Sequence, residues 1–291
     1  MKYEPTVDRK RMIATVREVY DLPAERLSFV PVGYAAVCYV LHCAGGGCYF
    51  LKYWPDTDAG RAVAARLDFV LPLTRALYDR NLVPRLPYPL TTREGALLCH
   101  LDGRPLAIFP FVSGMPAPEI LSLEHLDEFA RTVAAIHRAT AAVPDLLPPR
   151  ERFALDFEPD LRRAIEVAAR ATDRSRPGLR AVRDLILPRR DEVTRELARL
   201  HALQARVKKL PGPFVLCHTD LGGDNLHIDE QGRISVLDWD DVALAPPEHD
   251  LQAGLGPHFD RFLAVYVAAG GTRTSTSIIL PSPCCDISSA T

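Results

Sequence analysis

Apolar positions at the start of the chain follow a helical period first and a strand period afterwards. Residues 6–20 place Met12, Ile13, Val16 and Val19 on one face of a predicted helix. Three short β-rich runs come next, around 30–32, at 37–41 and at 49–53. Three glycines at 45–47 separate the last two runs, and we expect a hairpin turn there. This pattern predicts the beginning of an antiparallel sheet.

The next segment completes the predicted sheet. Residues 57–80 are helical in pattern, with Pro72 as the expected break or kink. Two further β-rich runs follow at 96–101 and 105–112, which brings the number of predicted strands to five. Ser113-Gly114 and the prolines after it interrupt the pattern, so we place the boundary of an N-terminal lobe, residues 1–112, at this point.

Residues 113–268 have mainly helical periodicity and form the second predicted lobe. Its helices are predicted to begin after Ser122, a candidate N-cap, and to cover 158–171, 178–206 with an interruption near Pro188, and 250–268. Its strands are predicted at 214–217, 226–228 and 233–237. The pattern as a whole therefore predicts an α+β fold of two lobes. The remaining 269–291 are rich in Ser and Thr without periodicity, and we expect a disordered or aberrant tail there.

Composition narrows the class of protein. The chain has 291 residues, of which 47% are hydrophobic, and its formal net charge is −2. This charge gives no basic field for nucleic acid or an anionic membrane. No apolar run approaches the roughly 20 residues of a membrane span, and the charged N-terminus has no signal-peptide pattern. Seven irregularly spaced cysteines without a CxxC pair fit a reduced, cytoplasmic protein without structural zinc.

The candidate chemistry lies in the segment HTDLGGDN, which follows the strand at 214–217. It contains His218, Asp220 and Asn225 in the pattern HxDxxxxN, and Asp238 follows at the end of the next strand, in LDWD. Asp220 can accept or orient the proton of a hydroxyl group. The amide of Asn225 and the carboxylate of Asp238 are oxygen ligands that suit Mg²⁺. A hairpin between them would bring both ligands together, as phosphoryl transfer requires.

Phosphoryl transfer also needs a cation on the phosphates of the nucleotide. Lys52 ends the third predicted strand, in CYFLKYW. A single lysine after a strand is usually a solvated surface charge. Its place after three strands and Gly33, and before a helix, favours phosphate binding instead.

Together these motifs identify a resemblance over residues 25–268. The sequence resembles the aminoglycoside phosphotransferase and choline kinase superfamily, small-molecule relatives of the protein kinases, and among them the spectinomycin phosphotransferase-like members. The resemblance implies a protein-kinase-like fold, with a five-stranded antiparallel N-lobe and a mainly helical C-lobe. It also implies ATP and Mg²⁺ as cofactors and a small-molecule hydroxyl as the acceptor.

The resemblance implies a role for each matching residue. Asp220 would be the catalytic base, His218 would support its loop, and Asn225 and Asp238 would bind Mg²⁺. Nucleotide contacts would come from Lys52, from the backbone around Gly33 and from a hinge that includes Phe109 and Phe111. Asp250 would brace the catalytic loop, although an acid at a helix N-terminus is an alternative interpretation.

Two features depart from the family pattern. The strand lysine usually pairs with a Glu on the next helix, but residues 55–80 contain no Glu, and Asp68 is the best substitute. Family members also normally continue with helices that shape the acceptor pocket, where this chain has its Ser/Thr-rich tail.

The acceptor is left open by the sequence. Between residues 211 and 251 there are nine acids and a single arginine. Carboxylates in excess, especially Asp240 and Asp241, would attract a cationic acceptor such as an aminoglycoside or aminocyclitol. Homoserine, choline, a macrolide or a sugar are alternative acceptors. A nucleotide-binding protein without transferase activity, and a protein kinase, are rival functions; the second is disfavoured because DWD replaces DFG and no APE-like segment follows.

Overall fold

The computed structural model describes residues 3–209 and 212–272, so the predicted tail lies outside the described residues from position 273 onward. The chain divides into two compact units. One comprises the described residues of Met1–Arg150 and Pro213–Ser275, and the other comprises those of Glu151–Gly212. The predicted lobe boundary at 112–113 falls inside the first unit and stays a prediction. In the described ranges, every helix is too short or too polar to cross a lipid bilayer.

A five-stranded antiparallel sheet forms the N-terminal part of the first unit, as the sequence predicted. Helix α1 (Arg9–Tyr20) comes first, and the strands are β1 (Ala24–Val30), β2 (Val37–Cys43), β3 (Cys48–Tyr53), β4 (Cys99–Leu101) and β5 (Arg104–Pro110). Their order in the sheet is β1-β2-β3-β5-β4. Met12 and Val16 of α1 are fully buried in one cluster with Tyr39 and Leu51. This helix therefore covers one face of the sheet.

The alternation of side chains in β3 puts Lys52 on the other face. Leu51 and Tyr53 belong to the cluster under α1, and successive residues of a strand point to opposite sides. Lys52 lies opposite Cys38 of β2 and Ala107 of β5 in the ladder. The predicted hairpin turn before β3 is present, and Gly45 and Gly46 adopt left-handed φ values of 81° and 88° that favour glycine.

The segment 57–80, predicted to be helical with a break or kink at Pro72, consists of two helices, and the predicted position of the break was wrong. These are α2 (Asp58–Ala64) and α3 (Leu67–Asp79). The break comes at 65–66 and not at Pro72, which lies inside α3. Proline removes a single backbone bond there, to the carbonyl of the exposed Asp68, where water can replace it. Arg66 lies at the break, and its side chain donates hydrogen bonds to the backbone carbonyl groups of Asp240 and Val242.

Helix α4 (Leu123–Ala139) is capped as predicted. The hydroxyl of Ser122 accepts a hydrogen bond from the backbone N–H of His125 over 3.2 Å. Phe129, Val133 and Ile136 of this helix are buried in the largest apolar cluster of the unit. That cluster also contains residues of the strands that flank the HxDxxxxN loop, so α4 forms the floor beneath the candidate site.

The strands around the candidate site are short. They are β6 (Met115–Pro116), β7 (Val215–Cys217), β8 (Leu226–Ile228), β9 (Ile234–Val236) and β10 (Ala243–Ala245). Strands β8 and β9 form the predicted hairpin, β6 pairs with β8, and β10 pairs with β7. The sequence did not predict β6 or β10, because two or three residues are too few to show a period.

The last predicted helix, 250–268, was wrong in its first half. The structure has α8 (Glu248–Leu251), a 3₁₀ turn over Gln252–Gly254 and then α9 (Phe259–Ala268). A Cβ on Gly254 would lie 2.5 Å from the ring of Phe262, so the close approach of this turn to α9 requires glycine.

The second unit is helical. It contains α5 (Glu158–Ala169), α6 (Pro177–Ile186) and α7 (Arg190–Val207). The predicted interruption near Pro188 is a 3₁₀ turn over Leu187–Arg189. Among its described residues, the buried apolar side chains are those of Ala168 and Leu197. Basic residues predominate, with fifteen Lys and Arg against ten Asp and Glu in 151–212.

Candidate active site

The loop between β7 and β8 is held by a buried carboxylate. Asp250 of α8 accepts hydrogen bonds from the backbone N–H of His218 through Oδ2 at 2.9 Å and of Thr219 through Oδ1 at 2.8 Å. Thr219 has a left-handed φ of 72°, an unfavourable conformation that persists only where surrounding contacts impose it. These two hydrogen bonds are those expected of a carboxylate that holds the catalytic loop, the role predicted for Asp250.

A second buried chain of contacts supports Asp250 from below. His137 of α4 lies with Nε2 at 3.1 Å from Oδ2 of Asp250 and with Nδ1 at 2.7 Å from the hydroxyl of Tyr266. Burial works against the charge of Asp250, but hydrogen bonding to His137, the nearby His rings and the Thr219 N–H outweigh it and lower the pKa. The sequence missed these partners; a histidine on the apolar face of α4 was the available signal.

The ring of His218 is fully buried and uses both nitrogens within the loop. Nε2 lies 2.9 Å from the carbonyl oxygen of Leu237, and Nδ1 accepts from the N–H of Asp220 at 3.3 Å. Burial lowers the pKa of this imidazole, so the neutral form with its proton on Nε2 fits both bonds. Trp239 packs edge-on against the ring, with centroids 4.9 Å apart. These contacts favour the predicted supporting role.

Asp220 is exposed at the tip of the loop and is oriented by Asn225. Nδ2 of Asn225 donates to Oδ2 of Asp220 at 2.7 Å and to its backbone carbonyl at 3.1 Å. Because the amide nitrogen is used in this way, the amide oxygen is the atom that Asn225 offers to a ligand.

Lys52 lies between two carboxylates of the LDWD segment. Its Nζ is 2.6 Å from Oδ1 of Asp238 and 3.1 Å from Oδ2 of Asp240. Burial disfavours the ammonium charge, but Asp240 and Asp238 outweigh it and raise the pKa of Lys52. Lys52 lowers the pKa of Asp238, whereas burial raises the pKa of Asp240 despite the same lysine. The lysine is therefore a fixed cation.

The expected pairing of Lys52 with Asp68 is not formed between these two described residues. Asp68 lies exposed in the first turn of α3, and the ammonium is already engaged by Asp238 and Asp240. The shorter side chain of Asp and its outward direction account for the difference. The sequence had assigned Asp68 on the basis of its position alone.

The suggestion that Asp240 attracts a cationic acceptor also needs correction. Its side chain is only 17% exposed and is bonded to Lys52. Other acids of the same segment are used internally as well: Asp229 pairs with Arg233, and Asp250 holds the loop. Asp240 is therefore engaged within the fold, but four other acids of the segment are exposed (Asp220, Asp224, Glu230 and Asp241), and the attraction of a cationic acceptor stays a prediction.

The predicted nucleotide contacts occupy the lysine face of the sheet and its edge. Gly33 lies between β1 and β2 with a left-handed φ of 75°. Phe109 is buried on β5, in the cluster that includes Cys38 and Ala107, the cross-strand neighbours of Lys52. Phe111 is 46% exposed and follows the end of β5, so its backbone lies beyond the strand ladder.

The donor set fits a divalent cation. Asp220 and Asp238 bring two carboxylates and Asn225 adds a neutral oxygen, while Lys52 contacts Asp238 and the neighbouring Asp240. Repulsion among these oxygens is reduced when a hard cation binds, and carboxylate and amide oxygens are the ligands that Mg²⁺ takes. By contrast, the buried group of His137, Cys217 and Asp250 has metal-ligand spacing, but hydrogen bonds already satisfy it.

Comparison with known proteins gives the family. Residues 26–277 match the model of the phosphotransferase enzyme family described as APH. Viomycin phosphotransferase of Streptomyces vinaceus is 31% identical over 222 residues, which are 72% of this chain and 69% of that protein. Homoserine kinase of Rhodospirillum rubrum is 31% identical over 173 residues, or 60% of this chain, and the match spans only about half (47%) of its own length.

A solved structure supports the fold. Spectinomycin phosphotransferase in complex with ADP and spectinomycin superposes with a TM-score of 0.73 at 17% identity, covering 93% of this chain and 82% of that one. The α+β fold of the chain is thus protein-kinase-like, as predicted. The chain belongs to the phosphotransferase enzyme family, and it is a small-molecule kinase.

Proposed function

We propose that the protein transfers the γ-phosphate of ATP, with Mg²⁺, to a hydroxyl group of a small-molecule antibiotic or a similar metabolite. The observation that carries this proposal is the presence of two polar segments, the HxDxxxxN loop and the LDWD segment. One presents Asp220 oriented by Asn225, and the other presents Asp238 against the buried Lys52. Phosphoryl transfer depends mostly on positioning and charge neutralisation, and these segments supply both.

Each residue has a role in the proposed reaction. Asp220 accepts or orients the proton of the acceptor hydroxyl, and His218 and Asp250 hold its loop. Asn225 and Asp238 hold Mg²⁺, which when bound neutralises charge on the phosphates.

The nucleotide contacts are assigned in the same way. Lys52 would contact the α- and β-phosphates, the backbone at Gly33 would cover them, and the backbone of the segment from Phe109 to Val112 would hydrogen-bond the adenine. In this assignment residues 1–112 bind the nucleotide and residues 113–268 supply catalysis and acceptor binding.

Two acceptor classes have specific support. The viomycin enzyme matches over more of its length than the homoserine kinase does, which favours an antibiotic. Several homoserine kinases match as well, which keeps an amino-acid alcohol as the second candidate. Asp240 and Asp229 are engaged within the fold, so the charge argument for a cationic acceptor rests on the exposed acids of the same segment, Asp241 among them.

The test is ADP release from Mg·ATP by the purified full chain. The acceptor panel contains viomycin, spectinomycin, aminoglycosides, macrolides, homoserine and choline, and Asp220→Asn is the matched control. Release that depends on one acceptor and is lost in the control would establish the kinase and its substrate class. Binding of Mg·ATP without release for any acceptor would favour the rival, a nucleotide-binding protein without transferase activity.

A further inference from the structure

Lys52 needs an anionic partner when no nucleotide is bound, and one that does not have to leave it when a metal ion binds. Its side chain is 13% exposed, and an unpaired charge at such a site is costly. The two partners differ in exposure: the Asp238 side chain is 41% exposed, whereas that of Asp240 is 17% exposed. The more exposed carboxylate is the one that reaches a ligand, and the more buried one is the one that stays with the lysine.

Asp238 has competing demands in the proposed reaction. An oxygen that binds a divalent cation gives up much of its interaction with a neighbouring ammonium, because both cations draw on the same negative charge. If Asp238 were the sole partner, Lys52 and the metal would compete for it. Asp240, at 3.1 Å from Nζ, removes that competition.

The backbone of Asp240 is fixed independently of its carboxylate. Arg66, which immediately precedes α3, donates from Nε to the carbonyl oxygen of Asp240 and from Nη2 to that of Val242, both over 2.9 Å. The guanidinium also lies over the ring of Phe69, 5.3 Å from its centroid. A planar fork with two fixed acceptors holds a segment in one orientation. Arg66 therefore attaches the segment after Asp238 to the start of α3 through neutral carbonyls, which leaves the Asp240 carboxylate to Lys52.

We infer that Asp240 is a positioning residue, the permanent counterion of Lys52, and that Arg66 holds it in place so that Asp238 is free for the metal. In this chain the counterion of Lys52 is Asp240, two residues after Asp238, and not a carboxylate on α3. The only acid in the first turn of α3 is Asp68, and its side chain is exposed. The inference rests on the proposed function, because it concerns the use of Asp238 in nucleotide binding.

The experiment measures how nucleotide binding depends on Mg²⁺, without turnover. Calorimetry with the ATP analogue AMP-PNP at a series of Mg²⁺ concentrations gives the Mg²⁺ concentration at half-maximal affinity, here called the Mg²⁺ midpoint. We expect Asp240→Asn to raise the Mg²⁺ midpoint about tenfold, the lower end of the effect of removing a residue that supports metal ligands. Asp240→Glu should restore most of the loss, and Asp241→Asn, at the exposed neighbouring acid, should match the wild type.

A double-mutant cycle separates action through Lys52 from a general loss of negative charge. The double variant Lys52→Met/Asp240→Asn should have the same Mg²⁺ midpoint as Lys52→Met alone. Without the ammonium of Lys52, Asp240 has no interaction with it left to lose. Additive shifts would overturn the assignment to Lys52. An unchanged Mg²⁺ midpoint in Asp240→Asn would overturn the inference, even if the KM of an acceptor rose.

A further variant covers the case in which Asp240→Asn does not fold. Arg66→Gln leaves both carboxylates and removes the attachment to Asp240, and we expect its Mg²⁺ midpoint to rise several-fold. A value equal to the wild type would contradict the inference. Failure of the wild type itself to bind AMP-PNP would instead overturn the proposed function, and the inference with it.

Discussion

The side-chain amide of Asn225 donates a hydrogen bond to the carboxylate of Asp220 over 2.7 Å. This bond joins the two polar residues that the HxDxxxxN pattern separates by five positions. It fixes the direction of the Asp220 carboxylate and, at the same time, turns the amide oxygen of Asn225 outward. One contact therefore prepares both the proton acceptor and a metal ligand.

Replacing Asp220 by Asn should remove the proton acceptor and little else. Because the side chain is exposed, we expect unchanged stability and nucleotide affinity, with turnover reduced by roughly 10²–10⁴-fold, the usual contribution of a general base. Steady-state ADP release measures the loss. Asp224→Asn, an exposed acid on the same loop, is the control and should keep wild-type turnover. More than half of the activity in Asp220→Asn would rule out the assigned role.

Replacing Lys52 by Met should make the stability of the fold depend on Mg²⁺. The change leaves Asp238 and Asp240 without their shared cation, and breaking a buried charge pair costs about 3–5 kcal/mol. We expect a loss near the lower end, about 3 kcal/mol, in urea unfolding with EDTA, and a smaller loss with Mg²⁺ present. Lys10→Met, on the exposed face of α1, should show neither effect. If the loss of stability were the same with and without Mg²⁺, the carboxylates of Asp238 and Asp240 would not be repelling each other in the absence of Lys52.

Replacing Asp250 by Asn should destabilise the fold strongly. The carboxylate of Asp250 is buried and accepts hydrogen bonds from two backbone N–H groups and from His137. An amide nitrogen in place of one oxygen leaves a buried donor facing donors, so we expect a loss of about 3 kcal/mol in the free energy of unfolding. Urea denaturation measures it, with Asp260→Asn at an exposed position of α9 as the control. Equal losses in both variants would disprove the bracing role.

Because of His218, the free energy of unfolding should decrease as the pH falls below neutrality. Burial lowers its pKa in the folded state, so the unfolded chain binds the proton more readily. The contribution of His218 to stability is therefore complete above the unfolded pKa of about 6.5 and is lost as the pH falls below it, by at most about 1.4 kcal/mol per pH unit.

Urea unfolding of the wild type and of His218→Gln between pH 7.5 and 5 tests this expectation. The variant should show a shallower decline, whereas His258→Gln, at an exposed position, should follow the wild type. Parallel curves for the wild type and His218→Gln would show that His218 does not titrate differently on folding.

The predictions from sequence were most accurate where neighbours along the chain decide the outcome. Short β-rich runs placed four of the five strands, whereas the first was expected around 30–32 and is Ala24–Val30. Ser122 was identified as a cap from its local context. The break in the 57–80 segment was predicted at Pro72 and not at 65–66, because a period does not show that Arg66 has distant partners. The short β10 escaped detection because only its pairing with β7 makes it a strand.

The class of chemistry follows from the order of residues along the chain. Residue types at short separations, in HxDxxxxN and LDWD, define the oxygen donors and the loop that carries them, and these depend on local geometry alone. The tertiary structure decided which charges meet: Lys52 lies 186 positions from Asp238, and His137 lies 113 positions from Asp250. Burial then set the use of each group, since Asp240, an apparently free acid in the sequence, became the desolvated partner of Lys52. Contacts between residues so far apart follow from packing, which no local pattern records.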